Sequence, residues 1–167
     1  MLLSDSHGKL NAPLLNKIAR LDTAVDLIVH AGDVGNADVI TRLSQIAPVI
    51  AVAGNNDTAE KWPASDTSAL ARLRQSCAIE LPGGTLCVVH GHQWVKPAVR
   101  HQGLRREFPG ARVVVYGHSH RYCDDRDLAP RVLNPGACGH ARAYGGPSAM
   151  RLSVSPERWR IQRLDGS

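Results

Sequence analysis

The chain has 167 residues and a mass of 18.0 kDa, enough for one domain spanning residues 1–167 with a buried core. With 43% hydrophobic and 21% charged residues the composition is that of a globular protein, and no apolar run approaches the ~20 residues of a membrane span. The net charge of +5 is spread from Arg20 to Arg163 and aromatic residues make up only 4%, which disfavours a nucleic-acid partner because no stacking platform accompanies the charge.

The elements alternate in the manner of an α/β domain. Leu2-Leu3-Ser4 reads as a short first strand. Asn11 caps a helix with Pro13 in its first turn, and Leu14, Leu15, Ile18 and Leu21 share a face. Asp26 to His30 is an apolar strand that stops at Ala31-Gly32-Asp33. A second helix, capped by Asn36, carries Val39, Ile40, Leu43 and Ile46. Val49 to Ala53 is a third strand, ending in Gly54-Asn55-Asn56-Asp57.

From Thr58 to Ser76 the periodicity weakens, and Ala69-Leu70 with Leu73 predicts one short helix. Pro82-Gly83-Gly84 turns the chain between strands Ala78–Leu81 and Thr85–His90. A helix over Lys96–Glu107 is stopped by Pro109-Gly110. Val113 to Tyr116 is a buried strand ending in Gly117-His118-Ser119-His120. Arg121 to Leu164 reads as short strands, punctuated by Asn134-Pro135-Gly136 and Gly145-Gly146-Pro147. Only four residues precede Asp5, too few for a signal peptide. Cys77, Cys87, Cys123 and Cys138 are scattered without a C-x-x-C pair, against a zinc ribbon, a redox dithiol or disulfides. The expected compartment is the cytoplasm.

The polar residues of chemical interest sit where strands stop, the edge at which open α/β sheets bind ligands. Asp5 and His7 are two apart, so in extended backbone both side chains face one way. His118 and His120 repeat that spacing. Asp33, Asn55 and His90 each close a strand of their own. Singly, each reads as a turn residue, a helix cap or a hydrogen-bonded histidine. Together they offer oxygen and imidazole donors without sulfur, suited to Mn, Fe, Zn or Ni. A buried Asp/His cluster without a cation carries a heavy desolvation cost.

Asp5-Ser6-His7-Gly8, Gly32-Asp33, Gly54-Asn55-Asn56-Asp57, His90-Gly91-His92 and Gly117-His118-Ser119-His120 resemble, in order, the five motifs of the calcineurin-like metallophosphoesterases. Leu133-Asn134-Pro135-Gly136 is similar to a further element of their small prokaryotic phosphodiesterase branch. The resemblance implies a layered α/β/β/α sandwich with two mixed β-sheets and two divalent metals at the sheet edge, manganese the first expectation. Asp5, His7 and His120 would hold one metal, Asp33 would bridge, and Asn55, His90 and His118 would complete the second site. A hydroxide shared between cations ~3.5–4 Å apart would attack a small phosphodiester in line.

The sequence departs from the family pattern in three places. The first strand is several residues shorter than usual. Asn56 stands where the family commonly has a histidine that stabilises charge and protonates the leaving group. The segment Ala137-Cys138-Gly139-His140-Ala141-Arg142 is looser than the usual version, with Arg142 a candidate phosphate contact. Asn56 is one candidate catalytic residue. His92, which falls two after His90, is the other, as a residue lining the site in contact with substrate or a metal ligand ahead of a role as general acid. His30 is either an orienting partner of a ligand or a packed strand-end histidine, and His101 and His140 are expected at the surface. Two other readings stand beside the hydrolase. One is a non-catalytic scaffold, as in the retromer subunit that shares the fold, and the other is a nuclease. Oligomeric state is open, a homo-oligomer included.

Overall fold

The computed structural model describes residues 1–140 and 144–166. Two mixed five-stranded sheets form its centre. The first has the order β10-β9-β1-β2-β3, built from β1 (Leu2–Leu3), β2 (Ile28–His30), β3 (Val49–Ala51), β9 (Ser148–Val154) and β10 (Trp159–Asp165). The second has the order β4-β5-β6-β8-β7, from β4 (Ser76–Leu81), β5 (Gly84–Val89), β6 (Val113–Val115), β7 (Tyr122–Asp125) and β8 (Arg131–Pro135). Strands β1, β2 and β3 are parallel to one another, as are β5, β6 and β8, while β9, β10, β4 and β7 pair antiparallel.

The two-residue period of the strands sorts their side chains into layers. Leu2, Val29, Leu86, Val88, Val113, Val115, Leu133 and Met150 fill the core between the sheets. Their neighbours point outward. Leu3 and Ile28 meet α1 (Ala12–Ala19) and α2 (Ala37–Ser44) through Leu14, Ile18, Val39 and Leu43. Cys87, Val89, Val114 and Val132 meet α4 (Pro97–Glu107) through Leu104. The result is the α/β/β/α sandwich. No helix among the described residues is long and apolar enough to cross a membrane.

Local chemistry sets the helix starts where the sequence places them. The Asn11 side chain accepts from Leu14 N (2.8 Å) and Asn36 from Val39 N (3.1 Å), so each asparagine satisfies a backbone donor that the first turn leaves unpaired. The weakly periodic segment forms a 3-10 turn, Ala64–Asp66, followed by α3 (Thr67–Leu70).

Several expectations need correction. β2 begins at Ile28 rather than Asp26, and β3 ends at Ala51, with Val52 bridging to Arg74 instead. β4 starts two residues earlier than its apolar pattern, at Ser76. Asn134 and Pro135 end β8, so only Gly136, with φ +77°, makes the turn. His101 is not a solvated surface residue. Its Nδ1 meets Asp125 Oδ2 (2.5 Å) and its Nε2 meets Tyr116 Oη (2.9 Å), joining α4 to β7 and to the end of β6. His140 is exposed, as expected.

β1, for all its brevity, is paired on both sides, Leu2 opposite Val29 and opposite Met150. β9 continues past that pairing to Val154, and a cavity of about 310 Å³ lies beside the start of β1, lined by Met1, Val25, Leu27, Leu152 and Val154 among others. The parallel strands run to a common edge, and their carboxyl ends carry the motif loops.

Candidate metal centre

Each loop at that edge must turn at once from a strand and bring its polar side chain back over the sheet. Among the described residues, the non-glycine residues with positive φ are Asp5 (55°), His7 (47°), Asp33 (53°), His118 (62°) and His120 (55°). The left-handed region costs an L-residue roughly 1–2 kcal/mol. Asp5 and His7 therefore do not share a side of an extended backbone, as their spacing suggests. They converge because both are left-handed; His118 and His120 are left-handed too, but they enter different groups.

The loops are pinned to one another. Asp5 N donates to Gly32 O (3.0 Å), His7 N to Asp33 O (2.9 Å), and His118 N to Asp5 Oδ1 (3.2 Å). Gly54 lies so close to Asp33 that a Cβ there would sit 2.1 Å from Asp33 Oδ1 and 2.4 Å from its backbone nitrogen. Glycine is required by that approach.

The side chains meet in two groups that share Asp33. In the first, ligating atoms of Asp5, His7, Asp33 and His120 all lie within 4.8 Å of one another. His120 Nε2 is 3.2 Å from Asp5 Oδ1 and 3.2 Å from His7 Nε2, and His7 Nε2 is 3.7 Å from Asp33 Oδ2. In the second, His90 Nε2 is 3.4 Å from Asp33 Oδ2 and 3.2 Å from Asn55 Oδ1, which in turn is 3.1 Å from His118 Nδ1. All seven expected ligands are thus brought together.

The protonation logic of His90 tests whether a metal fits. Its Nδ1 is 2.8 Å from Ala31 O, a carbonyl that only accepts, so Nδ1 carries the hydrogen. In the neutral ring Nε2 is then a bare lone pair, and it faces the oxygens of Asp33 and Asn55. Lone pairs so arranged need a cation between them, a proton or a metal. Without a metal a proton fills the role. Burial opposes protonation of His90, but hydrogen bonding to Asp33, with the Asp5 and Asp33 charges behind it, raises its pKa. Burial likewise works against ionised Asp33, but the hydrogen bonds from His90 and Asn56 outweigh it and hold the carboxyl below its usual range. Oxygen and imidazole donors in this array suit a divalent first-row ion.

Residues 1–157 match the calcineurin-like phosphoesterase superfamily domain. The chain belongs to the calcineurin-like phosphoesterase superfamily. A probable metallophosphoesterase of Methanothermobacter thermautotrophicus is 32% identical over 138 residues, 80% of this chain and 72% of that protein. A phosphodiesterase of Methanocaldococcus jannaschii is 28% identical over 145 residues, 82% of each chain. Vps29 of Entamoeba histolytica complexed with zinc superposes with a TM-score of 0.71 over 99% of this chain and 98% of its own; at 15% identity that likeness speaks for the fold alone. Family and side-chain cluster together support a metal-dependent phosphoesterase that uses divalent metal.

Around the phosphoesterase centre lie residues whose roles the motifs do not spell out. A cavity of about 300 Å³ opens over it, lined by Asp33, Asn55, Asn56, His118, Ser119, His120 and Tyr144. Asn56 donates to Asp33 twice, from its backbone N to Oδ1 (2.8 Å) and from Nδ2 to Oδ2 (2.6 Å), while its own Oδ1 accepts from Lys61 Nζ (2.5 Å). His92 stands beside the cavity, its ring 5.6 Å from that of His90 and 6.3 Å from that of His118. Burial and the neighbouring His90 lower the His92 pKa. Arg142 lies outside the described residues.

Two residues of the motifs gain a supporting task from the structure. Buried Asp57 accepts from Val34 N (3.1 Å), Gly35 N (2.9 Å), Gly54 N (2.8 Å) and Trp62 Nε1 (2.9 Å), fastening the Asp33 and Asn55 loops together. Asn134 donates from Nδ2 to Gly117 O (2.7 Å) and Ser119 Oγ (3.0 Å), holding the loop that carries His118 and His120. The aspartate closes a motif that was read for its asparagines, so its place in the sequence was visible and its task was not.

His30 touches no ligand directly. Ser6 Oγ, between the two first-loop ligands, gives its hydrogen to Val34 O (2.9 Å), so at 3.0 Å it must accept from His30 Nε2. The ring is neutral, and burial lowers its pKa to about 4. An unfolded chain takes up this proton near pH 6.5, so the stabilisation is complete above that pH and is lost as pH falls toward 4. Chemical denaturation of metal-free protein from pH 7 to 4 should show stability falling with pH. In His30→Gln, which keeps an N–H donor and cannot titrate, the fall should be shallower; equal slopes would contradict the assignment.

Proposed function

We propose that the protein is a phosphodiesterase whose two donor groups each hold a divalent ion, manganese by preference, with Asp33 bridging them. The observation that carries this reading is the position of the Asp33 carboxylate, with Oδ2 3.7 Å from His7 Nε2 on one side and 3.4 Å from His90 Nε2 on the other. Asp5, His7 and His120 belong to one ion, Asn55, His90 and His118 to the other. When bound, such a pair supplies Lewis acidity at the phosphoryl oxygens and a nucleophile at neutral pH.

The chain's own residues position and hold. The Asn56 N–H fixes Asp33 Oδ1, and the Asp33 side chain faces into the cavity. His90 is oriented by Ala31 O and Asp5 by Ser4 Oγ (2.5 Å), the outer hydrogen bonds that keep ligands aimed and basic. Asn56 lines the cavity, but its amide is engaged with Asp33 and Lys61 and does not titrate, so it cannot deliver a proton to a departing alkoxide. That chemistry favours diesters with good leaving groups over alkyl monoesters, and the cavity of about 300 Å³ suits a small substrate rather than a polymer.

Chelated protein should not hydrolyse bis-p-nitrophenyl phosphate, and Mn²⁺ should restore turnover above Fe²⁺, Zn²⁺ or Ni²⁺. Asp33→Asn should reduce the restored rate by more than the ~10–100-fold typical of an outer partner, because it weakens both ions at once. Undiminished hydrolysis by protein shown free of metal would rule the reading out.

The role of Asn56 is testable separately. A positioned acid contributes ~10²–10⁴-fold to departure of a poor leaving group. Across aryl diesters of increasing leaving-group pKa, wild-type rates should fall steeply. Asn56→His should flatten the dependence, with gains at the poor end. A flat wild-type series with chemistry rate-limiting would show that another residue, Lys61 or His92, already supplies the proton.

A further inference from the structure

Tyr144 is 54% exposed, one of four large hydrophobic side chains left open among the described residues. The other three, Val95, Val99 and Leu128, line no part of the cavity over the metal centre. Tyr144 does, together with Asp33, Asn55, Asn56 and His118. A half-exposed tyrosine is common in itself, but at the rim of a cavity over a polar site it is the kind of surface that ligand pockets use to seat planar groups.

The ring is also held in place. Tyr144 pairs with Arg121 in an isolated parallel bridge, and the Arg121 guanidinium lies 4.5 Å from its centroid. Arg121 directly follows His120, so the loop that presents two metal ligands also fixes the position of the ring. Among the described residues no carboxylate forms an ion pair with Arg121, and its charge remains available. A cation against one aromatic system and a planar group against the same system combine stacking with cation–π attraction.

We propose that Tyr144, braced by Arg121, is a stacking platform that seats a planar aromatic group of the substrate, of the nucleobase type, beside the metal centre. The proposal rests on the phosphoesterase reading for which bond is cut, and it adds what the rest of the substrate must look like. It concerns binding, so it is separate from any preference for good leaving groups. The platform places the aromatic group on the side of the cavity bounded by Ser119, His120 and Tyr144, with the phosphoryl group toward Asp33 and Asn55. An arginine beside the ring adds a donor for the ribose or phosphate oxygens between them.

Adenosine 5′-monophosphate and ribose 5-phosphate share a phosphate and a sugar and differ in the base. Calorimetric titration of the full chain with each, as purified and after chelation, separates stacking from phosphate binding. Adenosine 5′-monophosphate should bind about 5- to 150-fold tighter, the factor that 1–3 kcal/mol of base–aromatic stacking represents. In Tyr144→Ala the two ligands should bind with equal affinity, the advantage of the base being lost, and Tyr144→Phe should retain it. Saturation-transfer NMR on the wild type should show the adenine protons receiving more saturation than the ribose protons, which holds whether or not the alanine variant folds. Equal affinities in the wild type, an advantage that survives Tyr144→Ala, or no detectable binding of the nucleotide would overturn the platform. A protein that hydrolyses diesters when metal is restored but ignores the base fails this proposal alone. One that binds the base through Tyr144 but hydrolyses no phosphoester fails only the reading it rests on.

Discussion

Lone pairs of two carboxylates, one amide and four imidazoles are crowded together at the ends of parallel strands, and everything around them works to keep them there. Asp33 Oδ2 and neutral His90 Nε2 at 3.4 Å are both acceptors once Ala31 O has claimed the other imidazole hydrogen, so the contact needs a proton or a metal ion between them. The loops hold the two in place. Five of the seven clustered residues are left-handed, and backbone bonds from Asp5 N to Gly32 O and from His7 N to Asp33 O tie one loop to the next. Strain of this kind persists only where the surroundings over-determine it, and it concentrates at functional sites. A divalent cation bound among these donors would turn their mutual repulsion into attraction, as the proton on His90 does in part without one.

The sandwich explains how the loops come to meet. Parallel strands β1, β2 and β3 in one sheet, and β5, β6 and β8 in the other, end along one edge, so residues as distant in sequence as His7 and His120 become neighbours at 3.2 Å. Below them the inter-sheet core of Leu2, Val29, Val88, Val113 and Leu133 fixes the distance between sheets, and with it the gap across which Asp33 faces His90. Asp57 and Asn134 translate that rigidity into the loops by satisfying backbone groups that would otherwise be buried without partners. Core, loop anchors and ligands form one continuous structure.

Much of this was legible in the residues. Helix starts at Asn11 and Asn36 follow from capping chemistry, and β2, β3, β5 and β6 follow from short apolar runs, whereas β7 and the seven-residue β9 and β10 lie in a stretch read only as short strands. The seven clustered residues could be named because each closes a strand within a recognisable motif. What the sequence hides is what depends on long-range pairing or on backbone dihedral angles. Spacing alone suggests that Asp5 and His7 align in extended chain, whereas they converge through positive φ. The partners of His101, Asp125 and Tyr116, come from two other strands and their ends, so no local pattern marks that histidine as anything but exposed. No motif singles out Tyr144; only the fold, through its bridge to Arg121, brings it to the cavity.

The central claim is that the two donor groups hold two ions joined through Asp33, and metal stoichiometry with magnetic coupling tests it most directly. Metal-free protein titrated with Mn²⁺ and followed by electron paramagnetic resonance should take up two ions per chain. The six-line signal of isolated Mn²⁺ should give way to a spin-coupled spectrum as the second ion binds, and Asp33→Asn should lose the coupling. Saturation at one ion, or two ions with no coupling between them, would contradict the account.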